Sequence, residues 1–288
     1  MTRMIARFFF RVFAFCLWGL SLVLAVPAIL VLSRRRRIAT VNLSLCFSSK
    51  TRISIGFFLF RVFVNAIYGV FESLLAWFSP AELLKMIIVD ETSDDVSNGV
   101  LKSGGCLLIC PHYSCLELVA PGLSFATTRL VMSYRPHENS WLESIIYNGR
   151  LKFGSLVNAK DIRGLVRILR TGGHVWFGPD QDMGKQGSVF VDFFGVPACT
   201  VTTPSRLSKL TGCPVFFVTF SRRFLLYRLE VIPFPLEYPT DDEAKNASIM
   251  NRFIERSLEN DLSQYMWLHR RFKTQPDAPR YSLYSSTR

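Results

Sequence analysis

Charge is scarce in this chain, and acidic charge scarcer still. Only 19 % of the 288 residues are Asp, Glu, Lys or Arg, and 22 acidic residues face 34 basic ones, a net charge of +12. Such an excess attracts something anionic: an anionic membrane, an anionic substrate or nucleic acid. There is no Gly-x-Gly-x-x-Gly, no Walker loop, no internal repeat and no Cys/His spacing for a metal. These absences speak against dinucleotide, nucleotide-phosphate and metal chemistry, and no cofactor is expected. The seven cysteines (16, 46, 106, 110, 115, 199 and 213) are odd in number, and several lie inside apolar runs. They read as reduced core residues of a cytosol-facing domain.

What the chain has instead is apolar surface. Hydrophobic residues make up 49 %, aromatics 14 %, and Phe occurs 25 times, a composition that implies contact with lipid. Residues 12–32 carry no formal charge. As a helix they span roughly 30 Å, the thickness of a bilayer core. Pro27 kinks such a helix without forbidding it. Arg3, Arg7 and Arg11 precede the span; Arg34, Arg35, Arg36, Arg37, Lys50 and Arg52 follow it. The positive-inside rule places the rest of the chain in the cytoplasm. A second apolar stretch, 53–78, carries Arg61, Asn65, Tyr68 and Glu72 at helical spacing. Burying Arg61 and Glu72 in lipid is expensive, so this helix is expected at the membrane surface or in the core, its polar stripe facing a cleft. One span is therefore expected. Residues 1–40 form an anchor and basic flank, 41–280 a cytoplasmic domain, and 281–288 a polar, frayed tail.

From Gly104 onward strand and helix patterns alternate. Strands are expected at 106–110, 129–134, 154–159, 174–178, 214–220 and 225–232, helices at 114–124, 138–151, 162–171, 204–211 and 241–260. The alternation implies an α/β fold, a mixed, largely parallel sheet flanked by helices. Thr203 before Pro204, and Thr240-Asp-Asp-Glu243, read as helix starts.

The stretch 106–118 concentrates the chemistry. An apolar strand stops at Pro111, His112 follows, and Ser114 reads as the N-cap of a helix. His112 then sits where open α/β sheets bind ligands. Glu117, five residues on, is expected to fold back on one imidazole nitrogen and leave the other to accept a hydroxyl proton. Other polar residues gather after the strands: Tyr134-Arg135-Pro136, Arg150, Asp161-Ile162-Arg163, Asp180-Gln181-Asp182 and His269-Arg270-Arg271-Phe272-Lys273. His174 opens a strand and reads as structural.

In order, these motifs carry a resemblance. His112-x4-Glu117, Tyr134-Arg135-Pro136, Arg163-Gly164, Asp180-Gln181-Asp182-x-Gly184 and Ser188-Val189-Phe190 resemble the late acyltransferases of lipid A biosynthesis. So do Phe193-Phe194-Gly195-Val196-Pro197-Ala198 and 264–273, and the likeness covers nearly the whole chain. The resemblance implies a glycerolipid-acyltransferase-like fold in the inner membrane. It implies transfer of a fatty acyl group from acyl carrier protein to a hydroxyl of an anionic, Kdo-bearing lipid A precursor. It also implies His112 and Glu117 as the catalytic pair, Arg150 as an oxyanion or phosphate contact, and Asp180 in support. Arg135, Arg163, Arg270 and Arg271 would bind anionic groups. The rival readings are a sister O-acyltransferase for another glycolipid or aminolipid, and an inactive protein binding anionic lipid. Nucleic-acid binding accounts for the charge but not for the anchor.

Overall fold

The computed structural model describes residues 2–102, 104–223, 226–279 and 281–285. Three helices come first: α1 (Thr2–Val31), α2 (Ser33–Cys46) and α3 (Arg52–Phe78). A short α4 (Ala81–Ile87), β1 (Ile88–Asp90) and α5 (Asp94–Lys102) lead into the sheet domain. There β2 (Cys106–Ile109), α6 (Val119–Ala126), β3 (Leu130–Tyr134), α7 (Ser140–Leu151), β4 (Ser155–Asn158), α8 (Ile162–Arg170) and β5 (His174–Phe177) alternate. A hairpin of β6 (Ser188–Phe193) and β7 (Val196–Val201) follows, then α9 (Thr203–Thr211), β8 (Val215–Arg223), β9 (Leu226–Pro233) and α10 (Glu243–Ser257).

Seven strands make one sheet in the order β1-β9-β8-β2-β5-β3-β4. Neighbours are parallel except β8 and β9, which pair antiparallel. The expected mixed, largely parallel α/β sheet is present. Its central strands β2 and β5 are buried at every residue, as a sheet covered on both faces requires. All six expected strands form. Three others lay outside the apolar pattern: the short β1 and the hairpin β6–β7, which carries Asp192 and Pro197. That hairpin turns on Phe194 and Gly195, both with positive φ (51° and 73°), the conformation of a two-residue turn matched to strand twist. The Phe-Phe-Gly-Val motif is thus a turn, with the Phe194 N–H donating to Glu255 Oε1 at 2.5 Å.

Helix starts differ in detail from expectation. Ser114 caps nothing: a 3₁₀ turn at Leu116–Leu118 leads into α6, and the Ser114 N–H donates instead to the Gln264 carbonyl. Asp242, not Thr240, caps α10, accepting from the Ala244 and Lys245 N–H groups, while Thr240 bonds Asn246 Oδ1. Nor is the chain frayed from 281: Tyr284 is buried, its hydroxyl donating to Asn42 Oδ1 and accepting from the Phe272 N–H. Residues 286–288 lie outside the described residues.

Two described helices, Arg7–Val31 and Arg52–Phe78, are long and apolar enough to cross a membrane. They differ in burial. Along α1 most large apolar side chains are exposed, among them Phe8, Phe9, Phe13, Val23 and Val31. Helix α3 buries one face and bares another (Ile53, Phe57, Val70, Phe78). The two lie alongside each other, with Tyr68 Oη donating to the Ala14 carbonyl, while Arg7 Nε of α1 donates to the Met86 carbonyl of α4.

The polar stripe of α3 is a bolt to the sheet. Arg222, near the end of β8, forms a two-point pair with Glu72 (2.7 and 2.8 Å), reaches Asn65 Oδ1 at 2.5 Å, and lies over the Tyr68 ring. Glu72 and Arg222 are buried, their side chains 2 % and 8 % exposed. Arg61, farther along the stripe, pairs with Asp261 in a half-exposed contact. Glu72 therefore faces the core.

Candidate active site

The site stands at the C-terminal ends of the two buried central strands. Cys106 to Ile109 pair in parallel register with His174 to Phe177. The Cys110 N–H continues the ladder to the Phe177 carbonyl. Beyond it the two chains read alike: Cys110-Pro111-His112 and Gly178-Pro179-Asp180. Each proline ends its strand. The register offset, 68 residues, carries on through both turns and sets His112 against Asp180.

The contact is close and doubled. His112 Nδ1 lies 2.6 Å from Asp180 Oδ1, and the His112 backbone N–H donates to Oδ2 at 3.0 Å. With Asp180 ionised, Nδ1 is the protonated nitrogen, leaving Nε2 with its lone pair. Nε2 makes no hydrogen bond among the described residues, and the side chain is 21 % exposed while Asp180 is 2 % exposed. Burial pulls the imidazole pKa down, but the Asp180 carboxylate outweighs it by charge and hydrogen bond, so His112 is held above its ordinary value. Burial pushes Asp180 up, yet His112, with help from Arg271, brings it down to about 2. The ring packs closely against Gly178, where a Cβ would come within 2.7 Å of His112 Cε1. Glycine is required there by space.

The C-terminal motif closes the other side of the loop. The Met266 N–H donates to the His112 carbonyl, Ser114 N–H to the Gln264 carbonyl, and Tyr113 and Tyr265 pair as an antiparallel bridge. Helix α3 supports it from below: a Cβ at Gly69 would strike the Ser114 carbonyl at 2.2 Å.

Glu117 does not orient His112. It accepts from Arg150 Nε and Nη2 (3.0 and 2.6 Å) and from Trp77 Nε1 at 2.9 Å. The physical reason is topological. Parallel pairing had already delivered Asp180 to Nδ1, whereas Glu117 sits in the 3₁₀ turn beside α3 and α7. It adds only a small upward push to the imidazole. Arg150, in the last turn of α7, keeps its Nη1 edge without a hydrogen bond among the described residues, and lies near the Tyr134 ring. Sequence reasoning missed Trp77 altogether, since an indole in an apolar helix carries no motif.

The remaining expected residues scatter. Arg135 is exposed, 3.8 Å from Glu138, and Arg163 is exposed in the first turn of α8. Arg271 is 1 % exposed: its guanidinium donates to the Cys199 carbonyl and Thr200 Oγ1 and lies over the Phe193 ring. It clamps the β6–β7 hairpin and has no access to a substrate. Its neighbour Arg270 points the other way, over Tyr281. Asp182 is taken up by Gly184 N–H and by the N–H and hydroxyl of Thr274. His174 is buried, and desolvation with Arg129 nearby lowers its pKa to about 4.

Taken together, the pair offers a proton acceptor of fixed tautomer at the mouth of an α/β sheet, beside a carboxylate-clamped guanidinium. That suits removal of a hydroxyl proton during attack on a carbonyl. Residues 4–274 match the family described as bacterial lipid A biosynthesis acyltransferase. The chain is 33 % identical over 249 residues to the lipid A biosynthesis palmitoleoyltransferase of Escherichia coli K12, covering 85 % of this chain and 81 % of that protein. To the lauroyltransferase of the same organism it is 31 % identical, covering 87 % and 83 %. A solved 1-acyl-sn-glycerophosphate acyltransferase from Thermotoga maritima aligns at 16 % identity with a TM-score of 0.41, over 82 % of this chain and 97 % of that one. The chain belongs to the bacterial lipid A biosynthesis acyltransferases.

Proposed function

We propose that this protein transfers a fatty acyl group from acyl carrier protein to a hydroxyl of a Kdo-bearing lipid A precursor, with His112 as general base. The observation that carries the mechanism is the free Nε2 of a histidine whose Nδ1 is held by buried Asp180. The acceptor O–H gives its proton to Nε2 as its oxygen attacks the thioester carbonyl. The resulting oxyanion needs a donor, and the unused Nη1 edge of Arg150, held in place by Glu117, is the charged candidate. The intermediate collapses by breaking the C–S bond, and the imidazolium returns its proton to the departing thiolate. One ester and one thiol result. In this account Asp180 takes the orienting role first assigned to Glu117, and Glu117 positions Arg150.

We further propose a single-pass inner-membrane protein whose sheet domain faces the cytoplasm, where acyl carrier protein is available. The exposed apolar length of α1 and the arginines after it support this. A second reading has a specific observation behind it: α1 runs along α3, so both helices could lie within one leaflet. Labelling of a cysteine introduced near residue 2 from the periplasmic side supports the crossing; protection of both ends supports the leaflet arrangement.

Purified wild-type protein, supplied with acyl carrier protein thioester and the phosphorylated acceptor, should yield a product heavier by one ester-linked acyl group in mass spectrometry. Transfer only to an unphosphorylated glycolipid or aminolipid, or none at all, would contradict the assignment.

A further inference from the structure

The four arginines after α1 divide by what they touch. Arg36 donates to the Ile29 carbonyl and Arg37 to the Ser285 carbonyl, so both tie the chain together. Arg35 donates to the Leu268 carbonyl at 3.1 Å, while Arg34 bonds no described residue. With Arg270, Lys273, His269 and Tyr281 they line one open pocket of about 200 Å³. Arg35 and His269 also line an adjoining groove of about 300 Å³, together with Ser114 and Met266. Since the Met266 N–H is bonded to the His112 carbonyl, that groove leads to the catalytic loop.

Three observations set this pocket apart from a solvated basic face. None of its four cations makes an ion pair among the described residues, and no acidic side chain lines it. Arg34 and Arg35 occupy the first turn of α2, which has no acidic residue there, so they stand at the positive end of a helix dipole. That end of the helix also favours a bound anion. Finally, Arg270 Nε and His269 Nε2 are buried without a hydrogen-bond partner, as is Ser114 Oγ in the groove. Burial lowers the His269 pKa to about 4, so its ring is neutral at physiological pH and able to bond a hydroxyl or amide.

We propose that Arg34, Arg35, Arg270 and Lys273 form a recognition pocket for a phosphate of the membrane-resident glycolipid acceptor, and that the adjoining groove guides its hydroxylated body to His112. The proposal rests on the acyltransferase reading above. The argument for a lipid over a soluble donor is location. Leu30, Val31 and Leu32 are exposed at the end of α1, immediately before Arg34, so a ligand here meets apolar surface beside the cations. A phosphate head on an acylated body has that combination. Three planar guanidinium groups suit phosphate oxygens, and Lys273 adds a point charge.

The test uses the full-length protein in nanodiscs. Arg34→Ala and Lys273→Ala are the variants, since neither side chain bonds another described residue, and thermal unfolding controls for folding. Each is expected to raise KM for the phosphorylated acceptor about tenfold, the scale of one charge-assisted hydrogen bond, with kcat and the donor KM within about twofold. On an acceptor lacking its phosphate the two variants should match wild type. A rise confined to the donor KM would assign the pocket to the carrier and overturn the proposal. So would an equal loss on both acceptors. Binding is measured separately with His112→Ala protein on phosphatidylcholine vesicles containing the acceptor or, instead, phosphatidylglycerol. Preference for the acceptor, lost in Arg34→Ala/Lys273→Ala, is expected. Equal binding to phosphatidylglycerol would show general headgroup attraction and overturn the proposal. Because this arm needs no turnover, it still reads the pocket if the transfer reaction itself proves wrong.

Discussion

Two acid–base pairs stand side by side in this site, and they were built differently. His112 and Asp180 come from matching turns after adjacent parallel strands, so the sheet's own register brings them together. Glu117 and Arg150 come from a 3₁₀ turn and the last turn of α7, and Trp77 of α3 completes their contact. The first pair leaves a nitrogen lone pair open at Nε2. The second leaves a positive edge. A site that takes a proton and stabilises an oxyanion needs one of each, and only the strand-borne pair includes an imidazole, which accepts a proton as a neutral base.

That contrast breaks in predictable ways. His112→Ala should lower transfer about 10⁴-fold or more while the protein stays folded, by steady-state assay with thermal unfolding alongside. Asp180→Asn should follow at about 10³-fold, since loss of the carboxylate releases the tautomer. Asp180 also stabilises the fold. Its folded pKa, about 2, lies below the ordinary 3.8, so its contribution is present above the unfolded value and lost as pH falls toward 2. Asp180→Asn should therefore flatten the acid limb of a stability curve measured by denaturant unfolding. Away from the chemistry, Glu72→Ala removes one partner of a buried pair and should cost about 3–5 kcal/mol by the same unfolding measurement. Glu117→Gln should lower kcat about 10²-fold by loosening Arg150, leaving the stability less changed than Glu72→Ala does. Arg61→Ala, breaking a half-exposed pair on the same helix stripe, should stay within about 1 kcal/mol.

Much of this was legible in the sequence, and the misses have a common cause. Apolar runs revealed the strands of the sheet because their burial is continuous; the β6–β7 hairpin escaped because its strands mix exposed and buried residues around Asp192 and Pro197. His112 and Asp180 were both visible as strand-end residues. Their partnership was not, because spacing along one chain favoured the nearby Glu117 over a residue 68 positions away. The repeated pattern of apolar strand, proline and titratable residue at 106–112 and 174–180 was the available signal. Arg271 sat in a basic run and looked accessible, whereas neighbours in an irregular segment point to opposite sides. Arg222 gave no hint of itself at the end of an apolar strand, although its partners Asn65, Tyr68 and Glu72 did so by their helical spacing.

The most direct test of the central claim is the pH dependence of kcat/KM for wild type, Asp180→Asn and Glu117→Gln. A base must be neutral to accept a proton, so the rate falls as pH drops through the His112 pKa, which Asp180 holds above 6.5. Without that carboxylate, burial dominates and the pKa drops. The acid limb of Asp180→Asn should therefore move to lower pH, whereas that of Glu117→Gln should stay close to wild type despite its lower rate. A limb that shifts in Glu117→Gln and holds in Asp180→Asn would contradict the account and return the orienting role to Glu117.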